Sequence, residues 1–470
     1  VSDGENNVFP LPKTNGHVPH DHAHDALTDL ANAQRLIADH GPTLKHIHPW
    51  NRWLHYTQGR WADDNTGHAD QLAKQTIRAL LSEAILIEDA KVRARRLKDI
   101  ISSERAGRIR GMLELARSEP GIPAQPQDLD TDPWLLNIAN GTLDLRTGEL
   151  RQHNPDELIT KQAPAQHDPK AACPTWDAFL QRILPEPQTR LFLQRAAGYT
   201  LVGGNPAQIM LILHGSGANG KSTFIETTLH LFGDYGQQAP PETFLTKRDG
   251  IPNDVARLRG ARFVSAVEIA EGRRLNEPLI KRMTGGDTMT ARFMRSEYFE
   301  FQPQFTPWLA TNHKPEIKGT DEGIWRRIRL IPFDQTIPDN EQDGDLKPKL
   351  RNELPGILNW AIEGCLAWQH DGLGEPEAVR AATAAYRNDQ DIIGGFIDDH
   401  CHLNTNATTL TGDLYRAYTD WARSSGTEAI SAKAFGQKLT ERGFEAGRTR
   451  HGRYWAGIAL ETDQEHLSGL

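Results

Sequence analysis

Gln208-Ile-Met-Leu-Ile-Leu-His214, followed at once by Gly215-Ser-Gly-Ala-Asn-Gly-Lys-Ser-Thr223, is the stretch on which the reading of this chain turns. The apolar run is short enough for a buried strand, and Thr223 to Phe232 beyond it has helical spacing. Between them stands Gly-x-x-x-x-Gly-Lys-Ser, the pattern of a loop that cradles phosphate. Glycines let successive backbone N–H groups turn inward around an anion, and the helix N-terminus adds a favourable dipole. Gly215, Ser216, Gly217, Ala218, Asn219, Gly220, Lys221, Ser222 and Thr223 are therefore the expected ATP-binding set. Lys221 is expected to reach the β and γ phosphates and Ser222 to ligate Mg²⁺.

A chain of 470 residues has room for about three domains. Its net charge of -9 excludes a wholly basic coat protein, yet Arg257 to Leu330 carries 14 Lys or Arg against 9 Asp or Glu, a local surplus of 5. Such a surplus fits a nucleic-acid surface, with a solvated face as the alternative. Cys173, Cys365 and Cys401 lack C-x-x-C spacing, which argues against a disulfide framework or a zinc site. No apolar run approaches the ~20 residues of a membrane span, and Val1 to Pro12 lacks a signal-peptide pattern, so a cytoplasmic protein is expected.

Residues 1–25 are polar and proline-bearing, the composition of a flexible tail. Its His20-Asp-His-Ala-His24 lacks the fixed geometry a metal site needs. Ala26 to His40 has helical spacing, with Thr28 or Asp29 as cap and Gly41-Pro42 as stop. Trp50, Trp53, Tyr56 and Trp61 around Gly59 suggest a small hairpin whose aromatics serve packing rather than base stacking. Asp70 to Arg117 is strongly helical. Its Lys91, Arg93, Arg95, Arg96 and Lys98 read as a solvated face, with nucleic-acid contact as the alternative. A small meander over Leu135 to Leu150 and a helical stretch over Pro174 to Leu201 complete an α-rich accessory domain, residues 26–200, in which nothing looks catalytic.

Four partners of the glycine-rich loop follow it. Arg262 to Glu268 is a second buried-type strand ending in a carboxylate placed to hold Mg²⁺ indirectly and polarise water; Glu271 is a weaker candidate. Asn312 follows the apolar strand Phe305 to Leu309, with an amide able to orient water against the γ-phosphate. Arg326 and Arg327 can stabilise charge on a transferring phosphoryl group, Arg327 being favoured, and a finger supplied by a neighbouring subunit implies a ring. Lys281 to Phe301 contains a β-hairpin with Arg295 at or near its tip and Arg292 on one arm. Together with Lys281 these are the candidate DNA contacts.

Gly215 to Phe224, Arg257 to Glu268, Glu271-Gly-Arg-Arg-Leu275, Thr284-Gly-Gly-Asp287, Leu309 to Pro315 and Gly319 to Arg327 together resemble the superfamily 3 helicase core of phage and plasmid primases. The resemblance covers roughly residues 26 to 335. It implies an α/β fold with an AAA+-like P-loop NTPase core, residues 201–375, and a hexameric ring driven by ATP along single-stranded DNA, typically 3′ to 5′. Lys221 and Ser222 then take the Walker A roles, Glu268 the Walker B role, Asn312 that of sensor 1, and Arg326 or Arg327 the finger. The hairpin would line the channel. Related chains often begin with a primase-polymerase domain; none is expected before Ala26, so a primase partner is expected on a separate chain.

Leu354 to Gln369 and Glu375 to Asn388 read as helices, with residues 376–405 a connecting helix and linker. A helix over Leu414 to Ala422, another over Ala432 to Gly443 capped by Ser431, and two short strands around His451-Gly452 have winged-helix order over residues 406–470. Arg448, Arg450 and Arg453 would stud the wing. The leading expectation is an ATP-dependent DNA helicase of phage, prophage or plasmid replication. The alternative is an ATP-regulated replication-initiation protein that binds DNA without processive unwinding.

Overall fold

The structure, a computed structural model, describes residues 26–246, 253–292, 298–319 and 322–461. The expected flexible tail and the last residues, 462–470, lie outside the described residues. Two compact units emerge: Val1–Thr131 with Gln152–Lys161, and Asp132–Arg151 with Gln162–Leu470. Among the described residues no helix is long and apolar enough to cross a membrane.

The first unit begins with α1 (Asp29–His40), capped by the Thr28 hydroxyl, which accepts from Ala31 N at 3.2 Å. Three antiparallel strands follow, β1 (Leu44–Ile47), β2 (Arg52–Thr57) and β3 (Arg60–Asp63). Then come α2 (His68–Ile85), α3 (Ala90–Ser103), α4 (Ala106–Ala116) and β4 (Pro123–Ala124), which joins β1 in parallel. Leu36, Ile77, Ile100 and Met112 meet in the helical core. Trp61 is only 1% exposed. Its indole N–H donates to Pro155 O at 2.8 Å, so this ring packs rather than stacks on bases.

The second unit opens with the meander β5 (Leu135–Ile138), β6 (Gly141–Asp144) and β7 (Glu149–Arg151), then α5 (Pro174–Ile183) and α6 (Pro187–Leu201). Next come β8 (Met210–His214), α7 (Lys221–Phe232), β9 (Gly236–Gln238), α8 (Asn253–Ala256), β10 (Phe263–Val267) and α9 (Glu277–Gly285). The short strands β11 (Met289–Ala291) and β12 (Phe299–Phe301) pair antiparallel. After β13 (Thr306–Thr311) and α10 (Glu322–Trp325), β14 (Ile328–Pro332) completes a five-stranded parallel sheet of order β14-β8-β13-β10-β9. The chain is thus α/β around a parallel sheet.

Burial on both faces explains why β8 is continuously apolar. Leu211 and Leu213 join Phe224, Trp308 and Ile331 on one face, while Met210 and Ile212 join Val264, Leu309 and Leu330 on the other. Each of those four strand residues is 0% exposed, and each such burial contributes about 1.5–3 kcal/mol before entropy is counted. Trp176, Phe179, Ile183 and Phe192 from α5 and α6 share the first of these clusters. The meander and both helices therefore lean on the sheet, although the sequence assigns them to the accessory span. Buried Arg262 adds a tie, donating to Leu201 O at 2.6 Å and Leu135 O at 2.7 Å.

Beyond the sheet, α11 (Leu346–Asn352) leads to α12 (Leu354–Asp371). A Cβ on Gly198 of α6 would sit 2.0 Å from Cys365 N, and one on Gly364 would sit 2.1 Å from Gln194 O. These two helices thus touch backbone to backbone. Then come α13 (Glu377–Asp389), α14 (Ile392–His400), β15 (Cys401–Leu410), α15 (Thr411–Ser424), α16 (Ala432–Glu441), β16 (Glu445–Thr449) and β17 (Gly452–Leu460). The Ser431 hydroxyl caps α16, accepting from Ala434 N at 3.3 Å. β15 pairs with β17 in a sheet of order β15-β17-β16. No sequence signal announced β15: residues His402 to Asn406 are all exposed and mostly polar, so its strand form comes from pairing rather than from an alternating core face.

Candidate nucleotide-binding site

The loop from Gly215 to Gly220 leaves the carboxyl end of β8 and enters α7. Its turns need special backbone: Ala218 has φ 56° and Gly220 φ 83°. At Gly215 a Cβ would lie 2.1 Å from Phe333 O, so only glycine lets the loop approach the end of β14. The Asn219 amide donates to Phe333 O at 3.0 Å and also to Ser216 O. Ile337 N donates to Ala218 O at 2.7 Å. The segment after β14 therefore braces the loop from outside.

Inside the loop Lys221 is 5% exposed. It donates to Gly215 O at 2.7 Å, Asn219 Oδ1 at 2.8 Å and Ser216 O at 3.2 Å. It also donates to Asn312 Oδ1 at 2.9 Å. Burial lowers the Lys221 pKa to about 8. Asn312 is carried there by β13, the immediate neighbour of β8, with Thr311 in register with His214. Next along the sheet, β10 ends at Val267 opposite Ala310. Glu268 continues it, exposed, with its N–H donating to Ala310 O at 2.9 Å. Its φ of 63° is a left-handed conformation unusual for a non-glycine residue, of the kind that clusters at functional sites. Lys221 and Asn312 thus meet at one carboxyl edge, and Glu268 lies along the same edge, where parallel sheets present ligand sites.

This donor set fits a phosphate chain: a buried ammonium, a helix N-terminus bearing exposed Ser222, and a loop whose Gly215, Ser216 and Ala218 carbonyls are held by protein donors. Among the described residues no group of three or more His, Cys, Asp or Glu converges to hold a metal. Mg²⁺ would accordingly need phosphate oxygens beside Ser222, with Glu268 at the same edge.

The two arginines occupy the opposite edge. Both precede β14, which runs parallel to β8 with Pro332 in register with His214. A five-residue strand, about 16 Å at 3.3 Å per residue, separates them from the loop of their own chain. Arg327 is 7% exposed. It donates to Thr284 Oγ1 at 2.9 Å, Gln208 Oε1 at 3.0 Å and Gly323 O. Arg326 is exposed and donates to Gln208 Oε1 at 3.1 Å. The sequence favours Arg327 as the finger; the structure commits Arg327 to its own chain and leaves Arg326 facing solvent.

Comparison with known proteins gives two adjacent matches. Residues 33–185 match the family described as "D5 N terminal like". Residues 213–327 match a "Family of unknown function (DUF5906)". The mimivirus protein "Putative helicase L207/L206" is 29% identical over 328 residues, covering 64% of this chain and 34% of its own length. The Frog virus 3 "Putative helicase 022R" is 25% identical over 425 residues, 72% of this chain and 43% of its own. The African swine fever virus "Putative primase C962R" is 26% identical over 325 residues, 63% of this chain and 34% of its own. The solved apo NrS-1 C-terminal region covers 93% of this chain and is covered entirely, at 10% identity and a TM-score of 0.48.

These matches and relatives support a likeness to the phage and viral primase-helicases. The chain spans well under half the length of these viral relatives, from 34% to 43%. The second family match runs from the end of β8 to Arg327, and so contains the loop, Glu268, Asn312 and both arginines.

Of the candidate DNA contacts, Arg295 lies outside the described residues. The arms beside it pair with Ala291 opposite Phe299, and the Arg292 guanidinium sits 5.0 Å from the Tyr298 ring centroid. Lys281 lies on α9, half-buried. Sequence reasoning missed His214 and Lys314. His214 ends β8, its ring bonded to the Asn312 backbone; burial, Lys314 and Lys221 lower its pKa, while Asp334 opposes them. Lys314 donates to Asp389 at 2.9 Å. The one available signal for His214 was its place directly before Gly215. Gln208, which the sequence marks only as the start of a strand, joins both arginines.

Proposed function

We propose that this chain is an ATP-dependent DNA helicase of superfamily 3 type, serving phage, prophage or plasmid replication. The observation that carries the reading is the 2.9 Å bond between Lys221 Nζ and Asn312 Oδ1 at the edge that Glu268 also reaches. In this reading Lys221 holds the β and γ phosphates, Glu268 polarises the attacking water, and Asn312 orients it. Mg²⁺, held by phosphate and Ser222, would neutralise developing charge on the transferred phosphoryl group.

Arg326, which stands a strand's length from its own loop, completes the site of the next subunit in a ring, and the resemblance to superfamily 3 helicases implies six subunits.

ATP binding and hydrolysis would then move the β11–β12 hairpin, whose Arg292 and Arg295, with Lys281 nearby, grip single-stranded DNA in the channel. Residues 26–200 act as the accessory domain, 201–375 as the AAA+-like ATPase and 376–405 as the connector. Residues 406–470 form the winged-helix-like domain, a reading supported by the order α15, α16, β16, β17.

The test is strand displacement on a forked duplex with ATP and Mg²⁺, run beside ATPase turnover. DNA-stimulated turnover with displacement supports the helicase. Robust turnover with no displacement at any salt or loading polarity refutes it in favour of the initiation protein.

A further inference from the structure

The basic run on α3 divides into two groups once its side chains are placed. Arg93 is turned inward, donating to Ile87 O at 2.7 Å and so closing the carboxyl end of α2. Arg96 is half-buried and also has a partner. Lys91, Arg95 and Lys98 are exposed, and among the described residues none of the three has an ion pair. Asp89, the nearest carboxylate in sequence before them, is spent as the helix cap, accepting from Lys91 N at 2.8 Å and Val92 N at 3.0 Å.

These three cations share one stripe. At about 100° per residue they fall within about 60° of one another, with Ser102 between them and buried Ile100 on the opposite side of the helix. Their rises along the axis are about 6 Å and about 4.5 Å, so the stripe presents positive charge over about 10 Å. That is the form of a contact to a polyanion with regularly repeated charge. A solvated face in a chain of net charge -9 has acidic residues with which to interleave such cations; here the stripe itself carries none, and exposed Asp99, about 40° round the helix from Arg95, forms no ion pair among the described residues.

We propose that Lys91, Arg95 and Lys98 on α3 bind the phosphodiester backbone of single-stranded DNA, a contact separate from the β11–β12 hairpin. This rests on the reading of the chain as a DNA motor. The stripe is assigned to the backbone rather than to bases because Lys91, Arg95, Lys98 and Ser102 include no aromatic side chain on which a base could stack, leaving charge as what the face offers.

The test uses the full chain with Lys91→Gln, Arg95→Gln and Lys98→Gln combined, all at exposed positions. Binding of a labelled oligothymidine is measured against salt, with a duplex of equal length as the second arm. Loss of three phosphate contacts lowers the slope of log affinity against log salt by about 2. Between about 50 and about 200 mM salt the triple variant then loses about 20-fold less affinity than the parent. DNA-free ATPase and melting temperature stay at the parent values. If the parent binds DNA and the variant shows the same affinity and slope, the stripe is refuted while the motor reading stands. A larger effect on duplex than on single strands refutes the single-strand assignment. If the parent binds neither DNA, the motor reading fails and the stripe fails with it.

Discussion

Replacing Arg326 and Arg327 one at a time should give opposite phenotypes, although the residues are adjacent. Arg327→Ala removes a buried bond to Thr284 Oγ1, a part-buried one to Gly323 O, and a third to Gln208 Oε1. Bonds from a charged donor are worth about 1.5–3 kcal/mol each. Two unshared bonds give about 3–6 kcal/mol, which water reaching half-buried Gly323 reduces to about 3–4 kcal/mol. At about 2–4 °C per kcal/mol, melting should fall by about 6–16 °C. Arg326→Ala loses one exposed bond to Gln208, within about 0.5 kcal/mol, so melting should move by less than about 2 °C.

Turnover should reverse the order of interest. Loss of an arginine finger costs about 10³-fold or more in kcat, so Arg326→Ala should bind nucleotide, melt normally and fail to hydrolyse. The assay pairs differential scanning fluorimetry with fluorescent-nucleotide binding and steady-state ATPase. Mixing tests the trans geometry: Lys221→Ala and Arg326→Ala subunits, each inactive alone, should recover about one quarter of wild-type turnover when mixed equally, the fraction of interfaces with both groups intact. No recovery from mixing, or wild-type turnover in Arg326→Ala, would refute the finger assignment. Unchanged melting in Arg327→Ala would refute the burial argument.

Lys221→Met should abolish turnover and flatten two pH profiles. With the folded pKa lowered to about 8 by burial, the ammonium loses its proton as pH rises through 8, so nucleotide affinity measured by fluorescence should fall above that pH. The unfolded chain keeps the proton up to 10.5, so between about 8 and 10.5 it binds more protons than the folded chain, and stability contributed by this group should rise with pH. Neither trend should survive in Lys221→Met. Gly215→Ala, whose Cβ would meet Phe333 O at 2.1 Å, should weaken nucleotide binding by about five- to 150-fold, the effect of about 1–3 kcal/mol of overpacking, as read by calorimetry. Glu268→Gln should keep nucleotide affinity and lose about 10²–10⁴-fold in kcat, measured by phosphate release.

Elements with strong local signals were legible. The apolar run of β8, the glycine loop and the amphipathic α7 follow from composition and period alone, because burial on both faces of a parallel sheet demands an unbroken apolar strand. The caps were legible for a like reason, Ser431 outright and Thr28 as one of two candidates with Asp29, since such side chains act within one turn of the chain. β15 was not legible. Its polar residues carry no period, and its pairing partner β17 lies about fifty residues further on. Nor was the support that α5, α6 and the meander give to the sheet, since an amphipathic helix states that it buries a face but not against what.

The sequence by itself determined the chemistry available: a glycine loop with Lys221 and Ser222, a strand ending in Glu268, a strand followed by Asn312, and two arginines beyond. Spacing along a chain carries such information because each motif is local. Only the tertiary structure decided which groups meet. The strand order β8-β13-β10 brings Asn312 to Lys221 and Glu268 to the same edge. Parallel pairing of β14 with β8 sends Arg326 and Arg327 to the opposite edge, and burial then separates the two. Adjacent residues share a sequence context but not a solvent environment, and it is desolvation that turns Arg327 into a structural tie while Arg326 stays at the surface with one exposed bond to Gln208.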